Sequence, residues 1–447
     1  LVDDQSAAAT RLAQDVWDYA ELGYQEQRSS ARLSEYLEAN GFAIRSAVAD
    51  IPTAFTASYG SGEPVIAVLA EFDALPGLSQ AAEPVRNPLV AGAGGHACGH
   101  HLFGAASVTA AVALARWLDE TGSSGTIRVY GTPAEEGGSG KVYMARAGLF
   151  ADVAVALHWH PSDRNGASPS SSNANKSGRF TFQGIAAHAA SAPERGRSAL
   201  DGVEAMNFMV NMMREHVPSD ARIHYVITDG GDAPNIVPER AQVYYYVRHP
   251  QAATVVKLFE RVVTAAEAAA MGTDTKMSVE VMHGNYPLLP NETLARQVDA
   301  NLRALGGFQY DAAERAFAEE IRLTLPGSEA MAIDSTLEIQ PFVFRQSMGS
   351  TDVGDVSWLV PTVGFTTATW VPGTPAHSWQ AVAAGGTSGA HKGMLLAARL
   401  LAQTGVDLLS SPELIAAARQ ELQRRRGADF EYSALLGDRA PPLDYRR

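Results

Sequence analysis

The sequence has a single cysteine, no run rich in lysine or arginine, and no stretch of about 18 apolar residues. One cysteine cannot form an intrachain disulfide, which excludes the disulfide-stapled secreted class. The best candidate for a membrane span, residues 105–118, carries Ser107, Thr109 and Arg116, so no span is expected. With 35 basic against 49 acidic residues the formal charge is −14, a poor match for a phosphate backbone, so no nucleic-acid partner is expected. The first residues, with Asp3 and Asp4, do not read as a signal peptide, and the expected location is the cytoplasm. What remains is an ordinary globular composition, 46% hydrophobic and 19% charged. At 447 residues the chain exceeds the roughly 250–300 residues of one compact core, which predicts two domains.

Histidine is unevenly placed. Five of the twelve lie in the 65 residues from His96 to His160, a window that also holds the only cysteine. Clustered His, Cys and Glu are metal-ligand chemistry.

Helices are expected over residues 7–24 and 29–39, the second ended by Asn40-Gly41. The run 65–70 is short, apolar and rich in β-branched residues, as suits a strand buried on both faces of a parallel sheet. Further strands are expected at 126–130 and 152–157, and a buried small-residue helix at 102–118 precedes them. Strands alternating with helices argue for an α/β layered core. A polar tract at 162–178 then marks a boundary. Beyond it, strands at 180–184, 223–228, 243–247 and 279–283 and helices at 198–216 and 252–270 form a compact α+β unit. Helices resume after Asn291, with a strand at 362–366 and a helix at 387–402. The organisation is therefore a discontinuous, mostly parallel α/β domain over 1–178 and 293–447, with a smaller α+β, ferredoxin-like domain over 179–292 inserted into it.

In open parallel sheets functional groups gather at the carboxyl ends of strands. Asp73, the Glu135/Glu136 pair and the His158/His160 pair each follow a predicted strand. In Gly94-Gly-His96-Ala-Cys98-Gly-His100-His101, Cys98 and His100 are two apart, and in extended backbone they point the same way and can reach one metal. The same segment also reads as a buried cysteine with loop histidines. Its formal fit to a dinucleotide-binding glycine fingerprint fails because that motif must follow directly on a strand, and Arg86-Asn-Pro88 intervenes. Adjacent Glu135 and Glu136 face opposite ways in extended backbone, so one can bind metal while the other faces water, unless the pair is a solvated acidic turn. A divalent metal lowers a water's pKa from ~15.7 towards ~7, and a nearby carboxylate can take the proton. Of His158 and His160, one is expected to be a ligand. His377 sits in a rigid Pro/Gly loop, which suits a positioned functional group or an ordinary loop histidine.

Taken together, His96-Ala-Cys98-Gly-His100, Asp73-Ala-Leu-Pro76, Glu135-Glu136-Gly-Gly138, Ala187-His188-Ala189 and Asn235-Ile-Val-Pro238 resemble the amidohydrolase branch of the aminoacylase/carboxypeptidase metallopeptidase family. Within it, Glu71-Phe-Asp73-Ala-Leu-Pro-Gly-Leu-Ser79, Gly184-Ile-Ala-Ala-His188 and Ser350-Thr-Asp352-Val-Gly-Asp-Val-Ser-Trp358 are similar to the p-aminobenzoyl-glutamate hydrolase group. The resemblance implies two divalent metal ions, zinc or manganese, on Cys98, His100, Glu136, His158 and His377, with Glu135 as general base. It implies that the inserted domain is lid and dimerisation unit, and that His188 reaches a partner's active site to polarise the carbonyl. Asn235 and Arg248 match positions that grip a substrate carboxylate, a task suited to the planar guanidinium fork. His96, His101 and His160 receive no role.

The implied reaction is metal-dependent hydrolysis of an N-acyl amino acid, p-aminobenzoyl-glutamate first, by a homodimer or with a homologous partner chain. Another N-acyl-amino-acid or dipeptide hydrolase is the alternative within the same chemistry. A thiol–imidazole nucleophile at Cys98 is the alternative mechanism. A non-catalytic partner of a homologous hydrolase is the alternative class, and the intact set of candidate ligands argues against it.

Overall fold

The computed structural model describes residues 1–327 and 331–446. Helices α1 (Ser6–Tyr19) and α2 (Gln27–Ala39) lead into strands β1 (Ala43–Ser46), β2 (Phe55–Ser61) and β3 (Val65–Ala70). Then come α3 (His100–Thr121), β4 (Gly125–Gly131), α4 (Gly140–Arg146), β5 (Val155–Leu157), β6 (His160–Ser162) and β7 (Ser170–Ser171). A second group follows: β8 (Ala174–Gln183), α5 (Ala199–Met213), β9 (Arg222–Asp229), β10 (Arg240–His249), α6 (Ala252–Thr273) and β11 (Lys276–Asn285). The chain continues through α7 (Glu292–Leu305), α8 (Ala312–Arg322), β12 (Arg345–Gln346), α9 (Val353–Leu359), β13 (Thr362–Val363) and β14 (Thr366–Ala368). It closes with α10 (Trp379–Gly385), α11 (Ser388–Ser410) and α12 (Pro412–Arg426).

The larger sheet has the order β1-β2-β4-β3-β5-β13. Strands β4, β3, β5 and β13 run parallel, whereas β1 and β2 join antiparallel at one edge, so the sheet is mixed. Every residue of β3 is buried, as an apolar run covered on both faces requires. On one face lie α3 and α11. Helix α3 is long and apolar enough to cross a membrane, but most of it is buried, which makes it a core helix. Gly104 lets it approach closely: a Cβ there would lie 2.8 Å from the carbonyl oxygen of Glu71, at the end of β3. The expected helix over 7–24 stops at Tyr19 because Ala20 turns left-handed, with φ 43°.

The smaller sheet, order β11-β8-β10-β9, is antiparallel, and the unit reads β-α-β-β-α-β along the chain. Its first strand begins at Ala174. Burial alternates with period two along β10 and along the second half of β8. Phe180, Phe182, Val243, Tyr245 and Val247 are buried with α5 and α6 residues in one core. The opposite face, carrying Arg179, Tyr244, Tyr246 and Arg248, turns to the larger domain. The segment 427–446 straps the two units together. Arg146 donates to the carbonyls of Gly437 and Arg439, and Arg439 donates to that of Val281 on β11.

Candidate active site

The parallel strands explain why distant residues meet. Glu71 and Asp73 follow β3, Glu135 and Glu136 follow β4, and His160 opens β6 just beyond β5. Cys98 and His100 sit at the start of α3, and His377 lies on the loop before α10. His377 holds a left-handed φ of 61° and is pinned by its backbone N–H to the Ala97 carbonyl, 2.9 Å away.

Three overlapping groups have their ligand atoms within 4.8 Å of one another: Cys98/His100/His160, Cys98/Glu136/His377 and Glu71/His100/Glu135. Asp73 Oδ1 lies 2.8 Å from His100 Nδ1, which orients the ring and leaves Nε2 for a ligand, as carboxylates behind metal-binding histidines do. The other Asp73 oxygen accepts the Glu136 N–H at 2.9 Å. Cys98 Sγ is 3.4 Å from His160 Nε2, and the second nitrogen of that ring faces the Pro161 carbonyl at 2.7 Å. His100 Nε2 and Glu71 Oε2 are 3.2 Å apart, and His377 Nε2 and Glu136 Oε1 3.1 Å. Yet His100 Nε2, Glu71 Oε2 and Glu136 Oε1 are buried without an aligned hydrogen bond. Buried polar atoms left in that state are costly unless another group binds them. A thiolate, imidazoles and carboxylates within reach of one another form a donor set that fits divalent zinc or manganese.

Burial, with the charges of Glu71, Glu136 and Asp352, pushes Glu135 well above the usual carboxylate range. Burial also acts on Glu136, but the close approach of the His377 ring and the charge of His100 outweigh it and leave Glu136 below that range. Burial alone would raise Asp73 as well, but the charge and hydrogen bond of His100 win and bring it down to about 2. Burial raises the Cys98 thiol, and a coordinated cation reverses that preference. Behind the site Lys141, fully buried, bridges Glu71 Oε1 at 2.8 Å and Asp352 Oδ1 at 2.7 Å.

One expected ligand falls elsewhere. His158 is not in any of these groups, and His160 takes its place beside Cys98. The His158 and His160 N–H groups both bond the neighbouring segment, at the Val363 and Phe365 carbonyls, yet only the His160 ring reaches Cys98. The His158 ring fills the space over Gly364, where a Cβ would lie 2.2 Å from its Cε1 and Nε2. His188 is exposed, its Nδ1 accepting from the N–H groups of Ala190 and Ser191, each at 3.2 Å. Asn235 lies beside it, its carbonyl accepting the Ala189 N–H. Neither lines the cavity of the chain that carries it. Arg248 does: a cavity of about 470 Å³ has Glu135, Glu136 and His377 on one wall. Arg179, Tyr244, Tyr246 and Arg248 form the other. The tail reaches this cavity too, Tyr445 and Arg446 both donating to the Glu136 carbonyl.

Glu71, Lys141, Asp352 and Arg179 had no role in the sequence reading. Glu71 carried a signal, since it lies at the same strand end as Asp73. Lys141 and Arg179 carried none, because only the fold turns a lysine inward and brings a distant sheet over the site.

A mixed α/β sheet that collects metal-ligand side chains at its carboxyl ends, under an inserted β-α-β-β-α-β unit, defines a class of two-domain hydrolases. The chain belongs to the aminoacylase/carboxypeptidase-like metallopeptidase family, in its amidohydrolase branch. Residues 172–274 match the peptidase dimerisation domain. The whole chain is similar to the B-type component of p-aminobenzoyl-glutamate hydrolase from Escherichia coli, 40% identical over 93% of this chain and 92% of that one. It is also similar to the mouse (Mus musculus) Xaa-Arg dipeptidase, 30% identical over 94% and 90%. In fold it matches the aminobenzoyl-glutamate utilization protein of Klebsiella pneumoniae with a TM-score of 0.62, at 17% identity, covering 91% of this chain and 97% of that one.

Proposed function

We propose that this protein hydrolyses the amide bond of N-acyl amino acids, p-aminobenzoyl-glutamate first among them, using two divalent metal ions. Cys98, His100, Glu136, His160 and His377 would hold the ions, with Glu71 beside them. The observation that carries this is the trio of buried, unbonded ligand atoms, His100 Nε2, Glu71 Oε2 and Glu136 Oε1, at least one in each of the three overlapping groups that also hold Cys98, Glu135, His160 and His377. Zinc or manganese bound there would act as Lewis acid towards the amide carbonyl and make water acidic near neutral pH.

Glu135 takes a proton from the attacking water and returns it to the leaving nitrogen. Its environment suits that exchange, because burial among other carboxylates makes Glu135 a stronger acceptor for a proton than an ordinary carboxylate. Asp73 fixes the His100 ring, and Lys141 fixes Glu71. Arg248 receives the substrate carboxylate from the opposite wall.

The 179–292 unit acts as lid and dimerisation unit. Two features support the dimer: β9 is an edge strand with Tyr225, Val226 and Ile227 exposed, and α5 exposes Phe208 and Met212. In such a dimer His188 and Asn235 of one copy would serve the cavity of the other, His188 donating to the developing oxyanion. A homologous chain could stand in for the second copy.

The test combines metal analysis with turnover of a small panel of acyl-glutamates and acyl-aspartates. Dialysis against a chelator is expected to abolish turnover, and zinc or manganese to restore it. Undiminished hydrolysis by protein shown to be metal-free would overturn the proposal.

A further inference from the structure

We propose that Arg179 is a specificity determinant that binds the side-chain carboxylate of a dicarboxylic amino acid, while Arg248 binds its main-chain carboxylate. The inference rests on the hydrolase reading above and narrows its substrate class to N-acyl derivatives of acidic amino acids.

Both arginines line the cavity that holds Glu135, Glu136 and His377. In the pairing of β8 with β10, Arg179 stands opposite Tyr244, Ser177 opposite Tyr246, and Asn175 opposite Arg248. Directly paired residues share a face, so the two arginines project from the same side of the sheet. They are four residues apart along it, about 13 Å in the strand direction, on neighbouring strands. Arg179 stacks over Tyr244 with its Cζ 5.5 Å from the ring centroid, and Arg248 over Tyr246 at 5.3 Å. The two tyrosine rings lie 5.2 Å apart, so a guanidinium stands at each end of a short aromatic row.

Neither guanidinium is neutralised by the protein. Among the described residues neither makes an ion pair or a hydrogen bond, and the Nε of each is buried and unpartnered. The acid best placed for Arg179 is Glu280, directly opposite it on β11, but Glu280 is bound by Arg439 at 2.6 Å. Arg446, also in the cavity, donates to the Glu136 carbonyl. Two half-buried guanidiniums without an anionic partner, each with a buried unpartnered Nε, make the cleft receptive to anions. Their separation matches two carboxylates on one short carbon chain approached from opposite ends, each suited to the planar fork of arginine.

Their order follows from the fold. The Arg248 row includes Asn285, whose side chain donates to the Thr351 carbonyl of the larger domain at 3.0 Å. That end of the sheet is anchored nearest the catalytic side. The carboxylate next to the scissile amide therefore belongs to Arg248, and the distal one to Arg179. A basic side chain would meet Arg179 as a like charge, so this cavity disfavours the arginine-ended dipeptides for which one relative is named.

The experiment uses metal-loaded, full-length protein with p-aminobenzoyl-glutamate and p-aminobenzoyl-glutamine, which differ only in the distal charge. The wild type is expected to favour the glutamate compound in kcat/KM by roughly 10- to 100-fold, the range of one charged hydrogen-bonded contact. Arg179→Gln should bring that ratio towards one, mainly through KM, and Arg179→Lys should keep part of it. Equal turnover of the two compounds by the wild type would overturn the assignment of Arg179 and leave the hydrolase reading standing. So would an Arg179→Gln protein that loses the same factor on both. Absence of turnover with every acyl amino acid would overturn both. Inhibition of the wild type needs no variant: glutarate should inhibit more strongly than its monoamide, and equal inhibition would overturn the inference.

Discussion

Glu135 and Glu136 are neighbours in sequence with opposite surroundings. Glu135 is pressed towards its protonated form by burial among Glu71, Glu136 and Asp352, whereas Glu136 is held ionised by His377 and His100. Two carboxyls whose environments push them apart mark an acid–base group beside a ligand. Glu135→Gln is therefore expected to keep its metal and its fold while turnover falls by roughly 10²- to 10⁴-fold. Turnover near wild type with full metal content would remove Glu135 from the proton-transfer role. The histidine pair gives a sharper contrast. His160→Ala should weaken metal binding by at least the roughly 10- to 100-fold that outer-sphere partners are worth. His158→Ala should leave metal binding largely intact and cost about 2–3 kcal/mol of stability, since it empties the space over Gly364. The reverse pattern in metal titrations and thermal unfolding would return the ligand role to His158. Residue types and spacing made Cys98, His100 and the glutamate pair legible. The choice between His158 and His160 was not, because they sit two apart at the same strand end and spacing gives them equal claims.

At the scale of elements, the site depends on how closely α3 lies on β3. That helix carries His100 in its first turn, and β3 delivers Glu71 and Asp73 at its end. Gly104 sits where the two meet, with no room for a methyl group beside the Glu71 carbonyl. Gly104→Ala is expected to push the elements apart, costing about 1–3 kcal/mol and weakening metal binding together. Gly272, near the end of α6, has nothing within 4 Å of the Cβ it lacks. Gly272→Ala should stabilise by about 0.5–1 kcal/mol and leave metal binding alone. Equal responses at the two positions in denaturant unfolding would contradict the close-approach argument. Apolar periodicity sufficed to foresee β3, α3 and most elements of the inserted unit. It overran the end of α1, where a left-handed alanine rather than a glycine ends the helix. It also missed the antiparallel edge of the larger sheet, since β1 and β2 carry no local mark of strand direction.

For the whole molecule, buried histidines should dominate behaviour in acid. Burial lowers His96 and His158 to about 3, and His283 and His391 to about 4. In the unfolded chain each takes a proton near pH 6.5, so below that pH the unfolded state binds more protons and stability falls. Each such group is worth about 1.4 kcal/mol per pH unit between its unfolded and folded values. Two carboxyls oppose this. Burial raises Glu26 to about 8 and Asp355 to about 7, so between pH 6.5 and about 4.5 the folded state holds protons that the unfolded state lacks. The metal-free protein should therefore lose stability from pH 6.5 to 4.5 at about half the rate the four histidines alone would give, because the two carboxyls offset two of them. Below about 4.5 the unfolded carboxyls are protonated as well and the offset disappears, while Asp73 and Glu421, each held down to about 2 in the fold, add to the loss. Stability is then expected to collapse steeply between pH 4.5 and 3.5. Denaturant unfolding at closely spaced pH values checks this. A stability that stays level down to pH 3.5 would mean that these rings are protonated inside the fold. The tyrosine and backbone partners of Asp355 would remain, but the interior would have to admit water or counterions that the close packing around His158 and Gly364 leaves no room for.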